Sequence, residues 1–150
     1  MMGFLLVKFF HVLFAIVAIG ANISYGVWFA RAAKNPQSAV VLLRGVQFID
    51  NYIANPAYIL MLPTGIIMIR LGGYSFASHW ISWAMGLWVI AMVVAYALYT
   101  PTLRKMIEAV AAGGINSPAA NALNNRGRVL AAILGILVLA ILVLMIFKPA

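Results

Sequence analysis

Two histidines and two carboxylates are the whole stock of acidic and imidazole side chains in this 150-residue sequence, and cysteine is absent. Thiolate catalysis, disulfides and zinc–thiolate sites are therefore excluded. His11 lies just inside the start of an apolar run, at the head of a stripe His11, Ala15, Ala18, Asn22. The spacing i, i+4, i+7, i+11 places all four on one helix face. Neutral imidazole is a common axial ligand of b-type haem, and small residues below it would leave room for a flat macrocycle. The same small residues would equally let another helix approach closely. Ionisable groups inside a membrane are functional candidates by default. The cofactor-contacting set is thus His11, Ala15, Ala18 and Asn22, with haem b as the cofactor. His79 opens a later apolar run on the same side and is the second candidate metal ligand; a wet loop histidine is its ordinary alternative. Asn22, about 16 Å along the helix from His11, suits an interhelical hydrogen bond. Asp50 and Glu108 read as partners of Arg44, Arg104 or Arg128. No Ser-His-Asp set, phosphate-cradling glycine loop or carboxylate pair can be assembled, so the catalytic residues are unknown and enzymatic activity stays open.

These groups need elements to position them. Four apolar runs, roughly Phe9–Ala30, Ile53–Ile69, Trp80–Tyr99 and Val129–Phe147, are each close to the ~17–25 residues that cross a bilayer as a helix. Hydrophobic residues make up 66% of the chain and charged residues 8%, against about 25% charged in soluble domains. The expected fold is all-α, a four-helix transmembrane bundle in one domain over residues 1–150, with helices about 9–30, 53–70, 80–100 and 129–147. The first run is too long for a signal-peptide core and reads as a retained helix. Pro56 and Pro63 predict a bend in the second helix, facing protein rather than lipid. Asn35-Pro36-Gln37-Ser38 reads as a turn leading into a helix over Ala39–Ile49. The third helix is expected to run past Pro101 until Gly113-Gly114 breaks it. Asn116-Ser117-Pro118 has the form of a cap followed by an N1 proline.

Lysine and arginine number 10 against 2 acids, a net charge of +8. Arg31, Lys34, Arg44, Arg104, Lys105, Arg126 and Arg128 lie in the gaps after the first and third runs; Lys8, Arg70 and Lys148 lie on the other side. The positive-inside bias predicts cytoplasmic long gaps and both termini on the outer, periplasmic side of a bacterial inner membrane. The excess positive charge matches anionic headgroups, so the bilayer is the expected partner and nucleic acid is not. The smooth fourth helix and the small-residue face of the first also suit packing against a second copy or a larger membrane complex. The alternative function is therefore a structural or assembly subunit.

Several local patterns occur in order. Lys8-Phe9-Phe10-His11 opens the first helix; Asn55-Pro56-Ala57-Tyr58-Ile59-Leu60 with Gly65 forms the second; Trp80 opens the third, Arg104-Lys105 follows it, and Met145-Ile146-Phe147-Lys148-Pro149 closes the chain. Together these resemble the bacterial family of predicted integral membrane proteins called domain of unknown function 2269. They are also similar to HemJ-type protoporphyrinogen oxidases and CopD-type copper-resistance proteins. The HemJ-type resemblance implies haem b with His11 as axial ligand. It departs from that pattern in the third helix, where Trp-x-His-x-Lys is expected and Ser82 and Ala84 stand instead. The oxidase activity is disfavoured on that account. The scattered methionines form no Met/His cluster of the kind soft copper ions favour.

Overall fold

The structure is a computed structural model and describes residues 2–149. Four helices account for almost all of it: α1 (Met2–Lys34), α2 (Pro36–Leu71), α3 (His79–Gly113) and α4 (Pro118–Phe147), each long and apolar enough to cross a membrane. The apolar run is the middle of α1, the later part of α2 and of α4, and the earlier part of α3. Their polar ends are helical too, because the local signals for starting and stopping lie further out. Pro36 opens a 3-10 turn over Pro36–Ser38 that leads directly into Ala39–Ile49. Ser117 caps α4, its Oγ accepting the Ala120 amide at 3.2 Å. α3 stops at Gly113, and Gly114 follows with φ 83°, a conformation that glycine adopts without steric cost.

Neither α2 nor α3 is α-helical throughout. Asp50–Ala54 in α2 and Val94–Tyr99 in α3 are wider π turns. Asn55 N–H reaches back five residues to the Asp50 carbonyl, and Thr100 N–H reaches back five to that of Ala95. One residue separates each π turn from a proline: Asn55 precedes Pro56 and Thr100 precedes Pro101. The cause is steric: a proline ring inside an α-helix clashes with the carbonyl four residues back and offers it no N–H. Those carbonyls belong to Tyr52 and Ala97, and both sit in the widened turns. Pro63 is also inside α2. One residue later, Thr64 Oγ1 donates back to the Leu60 carbonyl at 2.7 Å.

The helices pack differently at the two ends. Arg31, Lys34, Arg44, Arg104, Lys105, Arg126 and Arg128 mark one half, called here the basic half, and all seven are exposed. The continuous core lies there, built from Tyr25 and Ala32 of α1, Leu43 and Val46 of α2, Tyr99, Leu103 and Met106 of α3, and Leu130 of α4. In the opposite half the helices part into two pairs, α1 with the later part of α2 and the start of α3 with α4. Ile16, Val89 and Ile136 there are more than half exposed. The molecule is thus two helical hairpins joined at the basic half and separate at the other.

Candidate functional site

His11 is half-buried on α1, in the half where α1 meets only α2. Its Nδ1 lies 2.9 Å from Thr64 Oγ1. The threonine hydroxyl has one proton, and the Leu60 carbonyl at 2.7 Å takes it. In the tautomer that matches this geometry, Nδ1–H donates to Thr64 and Nε2 keeps its lone pair. Gly65 is part of the same arrangement: a Cβ there would come within 3.3 Å of His11 Cε1. The glycine is what lets α2 lie directly on the imidazole. Lower on the stripe, Ala15 is half-buried and Ala18 fully buried. Asn22 Nδ2 donates to Tyr58 Oη of α2 at 2.9 Å and to the Ala18 carbonyl at 2.9 Å. The whole stripe lies against the second helix. An interhelical hydrogen bond of this kind contributes about 0.6 kcal/mol on average in a bilayer.

Asp50 is placed where sequence reasoning did not expect it. Pairing with Arg44, Arg104 or Arg128 does not occur. Instead Asp50 is 4% exposed, and every hydrogen bond to its carboxylate comes from a neutral group. Tyr25 Oη donates to Oδ1 at 3.2 Å; Asn55 Nδ2 and Thr100 Oγ1 donate to Oδ2 at 3.3 and 3.1 Å. Arg44 and Asp50 are six residues apart on α2, which at 100° per residue turns their side chains to different faces. The core packing of Leu43 and Val46 settles which face goes inward. Tyr25 and Tyr99 close the site, their rings near-parallel (8°) with centroids 6.5 Å apart, within the range where aromatic pairs attract. The signal available in the sequence was the coincidence of Asp50, Asn55-Pro56 and Thr100-Pro101 at equivalent places in two helices. It could not be read without knowing that α2 and α3 meet there. Glu108 is exposed.

His79 begins α3 and is exposed. It borders a shallow apolar groove with Trp80 and Trp83 of α3 and Val143 and Leu144 of α4. It belongs to the other hairpin from His11. Among the described residues, no cluster of three or more His, Cys, Asp or Glu is gathered as a metal site. Near His79, Tyr74 and Trp80 pack edge to face at 5.5 Å, and Lys148 Nζ donates to Tyr74 Oη at 3.3 Å while lying 5.5 Å from the Trp80 ring. Aromatic rings and a snorkelling lysine of this kind suit a membrane–water boundary.

Four long apolar helices, with seven of the ten cations exposed in one half, define a multi-span helical membrane protein. The chain belongs to the family of predicted integral membrane proteins DUF2269, whose pattern it matches over residues 5–149. No curated protein and no solved structure matches it.

Proposed function

We propose that this is a bacterial inner-membrane protein with its basic half in the cytoplasm, both termini outside and α2 bent at Pro63, and that it binds haem b through His11. The observation that carries the haem reading is the Thr64–His11 hydrogen bond. A metal-ligating histidine almost always donates its other ring N–H to a fixed acceptor, which sets the tautomer and the ring orientation. Here Nδ1–H is committed to Thr64 and the imidazole rests on Gly65, so Nε2 is the nitrogen free to ligate. Ala15, Ala18 and Asn22 lie against α2, so the support comes from the imidazole itself. Bound haem would supply one-electron redox chemistry, and the chain would supply ligation and a water-poor setting.

The detergent-purified protein, supplied with haem, is expected to show a Soret band that His11→Ala abolishes and that Thr64→Val shifts or weakens. A colourless wild type, or a band indifferent to His11→Ala, refutes the assignment.

A further inference from the structure

Asp50 lies where the two hairpins join, away from His11. The carboxylate is buried and accepts hydrogen bonds from α1 through Tyr25, from α2 through Asn55 and from α3 through Thr100. The other titratable groups within its electrostatic reach are Tyr58 on α2 and Tyr96 and Tyr99 on α3. All of these are neutral at physiological pH. The chain carries a net charge of +8, yet the seven cations of the same half all point outward. An ionised carboxylate withdrawn from water needs an opposite charge as well as hydrogen bonds, and no side chain provides one.

The backbone beside Asp50 has a matching feature. Pro56 and Pro101 offer no N–H to the carbonyls four or five residues back, which are those of Tyr52 and Asn51 on one helix and Ala97 and Tyr96 on the other. Carbonyls released at breaks in membrane helices are the usual oxygen ligands of small cations in transporters. Each break adjoins a residue that reaches Asp50: Asn55 precedes Pro56 and Thr100 precedes Pro101.

We propose that Asp50 and the oxygen-rich joint around it form a binding site for one monovalent cation, a proton or an alkali-metal ion. The site is independent of haem. Loading it neutralises the carboxylate at the point that holds the hairpins together, so occupancy would stabilise that joint.

Asp50 is the only aspartate in the sequence and Glu108 the only glutamate, which allows a direct test. The full-length protein, labelled with 13C at the aspartate side-chain carboxyl, is studied by infrared difference spectroscopy in detergent. Acidification from alkaline buffer to about pH 6 in choline chloride, well above the ~3.9 of an ordinary aspartate, should produce an isotope-shifted protonated-carboxyl band if the cation is a proton. Replacing choline by sodium or potassium at fixed alkaline pH should shift the labelled carboxylate stretch if it is an alkali ion. Either response supports the site, and Asp50→Asn should lose it. A labelled band invariant to both titrations, whether fixed as acid or as carboxylate, overturns the proposal. The wild-type spectra decide this even if Asp50→Asn does not fold.

Discussion

At the scale of single residues, His11 and Asp50 show how far a side chain's role depends on what the fold brings to it. His11 meets Thr64 and Gly65, 53 and 54 positions away, and both matter for opposite reasons: one supplies an acceptor, the other supplies nothing and so leaves room. A β-branched side chain at position 65 would occupy the imidazole's place. Gly65→Val is expected to cost about 1–3 kcal/mol through overpacking and to break the His11–Thr64 hydrogen bond, while Gly65→Ala, needing a shift of only tenths of an ångström, costs less. Reversible unfolding in mixed micelles measures the first effect. Imidazole NMR shifts report the second; an unchanged His11 signal in Gly65→Val would refute the contact. Asp50 carries the complementary lesson. Positive charge is abundant in its half, but all seven cations are exposed and none pairs with the carboxylate.

At the scale of elements, the prolines shape α2 and α3 without ending them. A π turn precedes Pro56 in α2 and Pro101 in α3, and the residue between turn and proline, Asn55 or Thr100, hydrogen-bonds the carboxylate of Asp50, which itself opens the first turn. Single π turns inside α-helices occur frequently at functional sites. If the π turn is what delivers Thr100, its contribution must depend on Pro101. Thr100→Val is expected to cost about 1–3 kcal/mol in the wild-type background, the range for leaving a buried hydrogen-bonding group without its partner. Alanine at position 101 restores an N–H for the Ala97 carbonyl and favours an α turn, so the same Thr100→Val change should cost clearly less on a Pro101→Ala background. A double-mutant cycle measures the difference; equal costs in both backgrounds would separate the proline from the site.

At the scale of the whole molecule, two hairpins share a core only in their basic half. Lipid or protein must cover the apolar surfaces of the opposite half. The asymmetry of charge predicts the orientation, and the absence of cysteine makes it measurable without background. Ala77→Cys in the exposed α2–α3 connection should react with an impermeant maleimide in intact spheroplasts. Asn116→Cys in the α3–α4 connection should react only after permeabilisation. Asn116 is the better site than its neighbour because Ser117 caps α4. The reverse labelling pattern would invert the topology and put the Asp50 joint nearer the outer surface.

Read alone, the sequence determined the four long helices, the cap at Ser117, the stop at Gly113-Gly114 and the continuation of α3 through Pro101. These are local matters: a helix in lipid satisfies its backbone within its own segment, so hydropathy, caps and glycines suffice to mark it. The full lengths of the helices were legible only in part, since hydropathy marks only the apolar runs while the capping and breaking residues lie further out. Tertiary structure alone decided which helices pair, why a large side chain at Gly65 would displace His11 and what surrounds Asp50. Those contacts join residues dozens of positions apart, as Tyr25, Asp50 and Thr100 are. A carboxylate's partners are set by which helix faces turn inward together, and no single helix carries that information.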